Sequence, residues 1–157
     1  MDGVTIEATA EGQALAMHFI EEMAIRWHCT QKAIRHLLIV CDEVLSNIVK
    51  FAYPETTGEV LVELGLVVEH SDGWAVADGD KAEPLGFEVL PRFLLLRFVD
   101  AGIPFNPLRA EEPNVSLPLN ERPVGKLGLK IVRDLSQLAE YEYSEGRNIL
   151  SVIIRDS

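Results

Sequence analysis

Positive charge is scarce in this chain: 14 Lys and Arg stand against 25 Asp and Glu, a net charge of −11. Phosphate contacts need clustered cations, so a nucleic-acid binder is excluded. Long hydrophobic runs are missing too. No stretch approaches the roughly 20 apolar residues of a membrane span, and Asp2, Glu7 and Glu11 interrupt the N-terminus with no cationic lead, so no secretory leader is expected. Cysteine is limited to Cys29 and Cys41, each in or beside a helical pattern. They form no disulfide framework, and a cytoplasmic setting is expected. His18, His28, His36 and His70 lack the close spacing of a metal site. Internal repeats and low-complexity linkers are absent. What remains is ordinary for a globular protein, with 48% hydrophobic and 25% charged residues, and 157 residues fit one domain.

Residues 4–9, VTIEAT, read as a short strand. From 12 to 27 the apolar residues Leu15, Phe19, Met23 and Trp27 recur every fourth position, which predicts an amphipathic helix packed on that stripe. Thr30 is an N-cap for a second helix, carried by Ala33, Leu37, Leu38, Cys41, Val44, Leu45 and Ile48 and stopped by Pro54. The Val-rich run 59–70 and RFLLLRFVD, 92–100, read as strands; the latter is apolar on both faces and so central in its sheet. Clusters of Asp, Gly and Pro over 71–91 predict an extended hairpin or loop, and 109–123 a loop or short helix. GLKIVRDLSQLAE, 128–140, predicts a helix with Leu129, Val132, Leu135 and Leu138 on one stripe. Two strands joined by a turn at 145–148 close the chain. This order predicts an α/β (α+β) fold, a two-layer sandwich of a mixed sheet with helices on one face.

Three places along this pattern carry polar chemistry. In DEVLSNIVKFAYPE, 42–55, Glu43 and Asn47 lie one helical turn apart and share a face. A carboxylate can take a proton from a hydroxyl, and an amide oxygen is a hard neutral ligand for Mg²⁺. A solvated helix end fits the same pair. Asp100, followed by Gly102 and Pro104 after an apolar strand, reads as a turn or as an acceptor for the exocyclic amine of a base, Gly102 allowing close approach to the backbone. Gly125, Lys126 and Gly128 lead into a helix, whose free N–H groups and dipole favour an anion. This is not a P-loop, which needs a different spacing and Lys-Ser or Lys-Thr.

Taken in order, these three stations resemble the N, G1 and G2 boxes of the GHKL ATP-binding superfamily, the Bergerat-type fold of histidine kinases, gyrase-type topoisomerases and heat-shock chaperones. Within it, the wording DEVLSNIVKFAYPE, FVDAGIPFNP and VGKLGLKIVRDLSQLAEYEYSEGRNILSVIIR looks most like the bacterial anti-sigma factor serine/threonine kinases. The resemblance spans nearly the whole chain except about 70–91. It implies that Glu43 is the general base toward a substrate serine and that Asn47 ligates the Mg²⁺ on the ATP phosphates. It implies that Asp100 accepts from the adenine amine, Gly102 shapes the adenine pocket, Gly125 and Gly128 cradle phosphates, and 109–124 form the ATP lid. The partners it implies are a sigma factor or similar regulator, a STAS-domain antagonist and a second copy of the chain, with Leu15, Phe19 and Met23 contributing to the homodimer.

Three features depart from that family's pattern. Phe51 stands where the family usually has His, Lys126 replaces the second Gly of Gly-Gly-x-Gly, and the segment at 71–91 is extra. Phe51 removes a polar neighbour, whereas Lys126 can supply a phosphate contact. They leave a rival expectation beside the kinase: an ATP-binding partner switch with weak or no phosphoryl transfer.

Overall fold

A computed structural model describes residues 1–76, 91–106 and 126–157. The strand β1 (Asp2–Glu7) is followed by two long helices, α1 (Ala10–Arg26) and α2 (Gln31–Phe51). Then come β2 (Glu59–His70), β3 (Gly73–Val76) and β4 (Arg92–Asp100). The chain ends with α3 (Lys126–Leu135), β5 (Leu138–Ser144) and β6 (Arg147–Asp156). The strands form one sheet in the order β1-β2-β4-β6-β5, with β3 pairing β2 beyond the reach of β1.

The α+β two-layer class matches the sequence reading, but every pairing among the described strands is antiparallel, where a mixed sheet was expected. The cause is topological. The chain crosses from β4 through α3 to β5, yet β6 inserts between those two strands and runs opposite to both.

Both long helices begin on threonine caps. Thr9 Oγ1 accepts from Gly12 N at 3.1 Å and Thr30 Oγ1 from Ala33 N at 3.2 Å, each filling one of the donors a helix start leaves open. Glycine at position 12 lets α1 lie against β1, since a Cβ there would overlap the Glu7 carbonyl. The buried face of α1 is Ala16, Ile20, Met23 and Ala24, continuing to Trp27; Leu15, expected on the packing stripe, is 64% exposed. On α2 most of the expected stripe is buried, with Leu37, Cys41 and Leu45 inaccessible and Leu38 and Ile48 partly buried.

These helix faces meet Val60, Val62, Leu64, Leu94, Leu96, Phe98, Val152 and Ile154 from the sheet and form the main core. The alternate residues of β2, β4 and β6 face the other way. There Val67, Leu95 and Ile153 form a second cluster with Trp74, Phe93 and Leu138. Trp74 comes from β3, within the segment expected to be a loop or hairpin, and meets Phe93 edge-on at 4.8 Å. The rest of that segment, 77–90, lies outside the described residues.

The last helix departs from expectation. It starts at Lys126 and ends at Leu135, and 138–144, read partly as helix, pair instead with β6, Leu138 opposite Ile153. Tertiary pairing overrides the helical stripe because LAEYEYS alternates between the faces as well as it repeats along a helix. The turn is tight: Glu145 and Gly146 both have positive φ, 51° and 78°, as a two-residue hairpin loop requires. Arg147 and Asn148, expected in the turn, already belong to β6.

At the far end of the sheet, Asp156 is wholly buried. Its Oδ2 accepts from Arg92 Nε at 2.6 Å and its Oδ1 from the backbone and hydroxyl of Thr30, at 2.9 and 2.8 Å. Arg92 also donates to the Trp27 carbonyl. This pair fastens the α1–α2 junction to the ends of β4 and β6. Among the described residues no helix is long and apolar enough to cross a membrane.

Candidate functional site

The C-terminal half of α2 faces the ends of β4 and β6, and the polar residues cluster between them. Glu43, Asn47 and Phe51 follow one another at every fourth position of α2. Asn47 is buried, and its side-chain nitrogen has no hydrogen-bond partner among the described residues. A buried amide left open in this way costs free energy unless a ligand or water completes it. It lines a pocket of about 30 Å³ with Val44, Ile48, Phe98, Asp100, Tyr141 and Asn148, and Phe105 forms part of its wall.

Asp100 ends β4 directly opposite Asn148 of β6. Its Oδ1 accepts from Gly102 N and from Asn148 Nδ2, both at 2.9 Å. The described residues thus fix Oδ1 and donate nothing to Oδ2. Asn148 is itself held from several directions. Its Nδ2 also donates to the Ile103 carbonyl at 2.8 Å, and its Oδ1 accepts from Phe105 N at 3.1 Å and from the Tyr141 hydroxyl. The amide thus joins the end of β4, the loop after it and β5.

Two further contacts tie this loop to α2. Ile103 N donates to the Ala52 carbonyl at 2.9 Å, and a Cβ on Gly102 would overlap that same carbonyl. Glycine at 102 therefore serves the approach of the loop to the end of α2, a different reason from the ligand approach expected. Tyr53 bridges the other side, donating to the Glu59 carbonyl at 2.7 Å and accepting from Ala101 N at 2.9 Å. Burial raises the pKa of both Tyr53 and Tyr141, with the nearby Asp100 charge adding in the same direction. Both phenols therefore stay protonated as donors.

On the other flank of Asn47, the Glu43 carboxylate lies against α3. A Cβ on Gly128 would overlap Glu43 Oε2, so glycine there leaves room for the acid beside the first turn of the helix. Gly128 sits within α3, two residues past its start at Lys126, and does not precede the helix as expected. Phe51 packs beside Phe105 of the pocket wall, the ring centroids 6.0 Å apart at a 44° tilt. Gly125 and the expected lid over 109–124 lie outside the described residues.

The structure therefore brings Glu43, Asn47, Asp100, Gly102 and Gly128 to one side of the sheet end. Asn148 and Tyr141 were missed by the sequence reading. Strand parity could have found the first: Asn148 shares the inward face of β6 with Leu150, Val152 and Ile154, and a polar residue on that face calls for buried partners. No group of three or more His, Cys, Asp or Glu able to hold a metal occurs among the described residues.

An open carboxylate oxygen in a small apolar pocket suits the amine edge of a base, and the helix start nearby suits a phosphorylated ligand. The sequence agrees with that chemistry, matching the histidine kinase-like ATPase domain over residues 6–154. The chain belongs to the histidine kinase-like ATPase family. ATP binding follows from that membership. No curated protein matches the chain. Among the described elements of this ATPase domain the matched region spans α1 to β5 whole, the last two residues of β1 and all but the last two of β6.

Proposed function

We propose that this ATPase domain is a protein serine/threonine kinase of the anti-sigma type. In this reading it binds Mg-ATP, sequesters a sigma factor, phosphorylates a serine on a STAS-domain antagonist and works as a homodimer. The observation that carries the kinase reading is the Glu43 carboxylate, placed beside the first turn of α3 and one helical turn from the open amide of Asn47. A base for the acceptor hydroxyl and a contact for the phosphates lie side by side, which is what phosphoryl transfer requires of a protein. The exposed Leu15 on α1 is consistent with a pairing face there.

Asp100 Oδ2 accepts from the adenine amine while Asn148 and Gly102 N hold Oδ1. The pocket of about 30 Å³ has room for a water or two, so Phe105, exposed at its wall, has to turn aside for the purine. The residues fit an Mg²⁺ bound jointly with the phosphates. Half a turn of the Asn47 amide puts its oxygen at the position of the unpartnered nitrogen. When bound, Mg²⁺ offsets the charge of the phosphate oxygens. Glu43 takes the proton of the serine hydroxyl as its oxygen bonds to the γ-phosphorus, and the bond from that phosphorus to the β-phosphate oxygen breaks, leaving ADP.

The second reading, an ATP-dependent partner switch without transfer, is favoured by Phe51, which puts an apolar ring on the Glu43–Asn47 face. Radiolabel transfer from ATP to a purified STAS-domain protein separates the two, with Glu43→Ala as the comparison. Label on the acceptor that disappears in Glu43→Ala supports the kinase; tight ATP binding with no transfer from the wild type supports the switch. A thermal shift with Mg-ATP tests the nucleotide site itself. At 100 Kd a ligand adds roughly 2.7 kcal/mol, and Asp100→Asn should remove most of that gain.

A further inference from the structure

The flank of α2 and α3 differs in charge from the rest of the molecule. Lys32, Arg35, Lys50, Lys126, Lys130 and Arg133 lie on these helices, against Asp42, Glu43 and Asp134. The helix pair thus carries six of the chain's 14 cations and three of its 25 acids, so its sequence is basic on a protein of net charge −11.

The two helices run in opposite directions. Thr30, at the head of α2, is bonded to Asp156 at one end of the sheet, and α2 ends against Gly102 at the other. α3 starts beside Glu43 and leads back to Leu138, which pairs with Ile153. One turn before Glu43 therefore lies level with one turn after Gly128. Ile39 and Ile131 occupy those two places, 43% and 38% exposed, while Val40 and Val132 beside them are inaccessible. Lys32 and Arg35 are exposed and pair with no acid among the described residues, whereas Lys130 reaches Asp134 at 3.2 Å. The local field is felt by His36, whose pKa is lowered by burial first and then by Lys32 and Arg35.

We propose that this flank, with Lys32, Arg35 and Lys130 around Ile39 and Ile131, is the docking surface for the protein that accepts the phosphoryl group, and that the partner presents an acidic rim around an apolar anchor. The proposal rests on the reading of Glu43 as the base, since a partner seated here brings its hydroxyl next to that carboxylate. An acidic protein is repelled by most of this chain and attracted at this strip, so the charge pattern selects the orientation of encounter. The two isoleucines favour a protein over a polyanion: they offer apolar area to a folded surface and nothing to a phosphate backbone.

The test is fluorescence anisotropy on the full chain with a labelled peptide that alternates Glu and Leu around a central Ser. Its Lys-for-Glu counterpart, phosphatidylserine vesicles and single-stranded DNA are run beside it. The acidic peptide should bind the wild type, less tightly as salt is raised, and at least about tenfold more weakly to Lys32→Glu/Arg35→Glu. Ile39→Ser should weaken it as well, and the Mg-ATP thermal shift should be unchanged in both variants. No binding of the acidic peptide, equal binding by the double variant, or stronger binding of the Lys peptide, vesicles or DNA overturns the proposal. Glu43→Gln keeps the two readings apart, because it should abolish transfer and leave peptide binding intact. Binding that follows this pattern without any transfer from the wild type would remove the kinase reading alone.

Discussion

Asn148→Ala tests the geometry of the nucleotide pocket most directly. The truncation deletes three donated bonds, to Asp100 Oδ1 at 2.9 Å, to the Ile103 carbonyl at 2.8 Å and a long one to the Gly102 carbonyl at 3.4 Å, and two accepted ones, from Phe105 N and the Tyr141 hydroxyl. A bond to a charged group is worth about 1.5–3 kcal/mol net and a neutral one about 0.5–1.5 kcal/mol. Water entering the gap recovers part of this, so a loss of about 3 kcal/mol in unfolding free energy is expected, read by urea denaturation. The ligand experiment is the sharper of the two. With its Oδ1 released, Asp100 can rotate, and ATP should bind about tenfold or more weakly. ITP has a carbonyl in place of the amine and makes no such bond with Asp100, so its affinity should change little. Isothermal titration with both nucleotides gives the ratio. If ATP and ITP weaken to the same extent, Asn148 is merely structural and the account of Asp100 is wrong.

Other substitutions test other parts of the molecule. In Gly128→Ala the new methyl collides with the flexible tip of Glu43 rather than with backbone, and a helical Gly→Ala change contributes up to about 1 kcal/mol. The melting temperature should hold or rise while phosphoryl transfer drops at least about tenfold; unchanged transfer would show that the place of Glu43 against α3 is irrelevant. Asp156→Ala strands Arg92 in a buried setting and frees the cap residue Thr30, so a loss of about 3–5 kcal/mol is expected. Arg92→Met/Asp156→Leu should cost far less, and equal costs would refute the buried-charge explanation. Burial raises the Cys29 and Cys41 thiols from the ordinary 9.0 to about 11 and about 12. The folded state therefore keeps protons that the unfolded state releases. Their contribution is complete below pH 9.0 and is lost as pH climbs through about 11 to about 12. Cys41→Ala should flatten the alkaline fall in stability measured by denaturation, and an unchanged slope would count against the assignment.

Local patterns in the sequence determined most of the elements. Both long helices, the Thr30 cap and the strands β2, β4 and β6 could be read because periodicity and capping are short-range properties of the chain, whereas Thr9, read as the end of a strand, caps α1. The order of the polar stations was equally legible, since Glu43, Asn47, Asp100 and Gly128 stand at fixed places relative to those elements. Where two patterns competed, the sequence misled. Leu138 continues a helical stripe and also begins an alternating strand, and the choice was made by β6, which offers a partner. Leu15 begins an apolar stripe whose later members, Met23 and Trp27, reach the core while Leu15 itself faces out.

The connections among the stations were decided only in three dimensions. Asn148 lies 48 positions from Asp100, and they meet because β6 enters the sheet beside β4. Glycine at 102 answers to the Ala52 carbonyl, and glycine at 128 to the Glu43 carboxylate. The sequence alone determined which residues could do chemistry; strand order and helix packing decided which of them meet, because contact across such separations depends on the whole sheet being assembled.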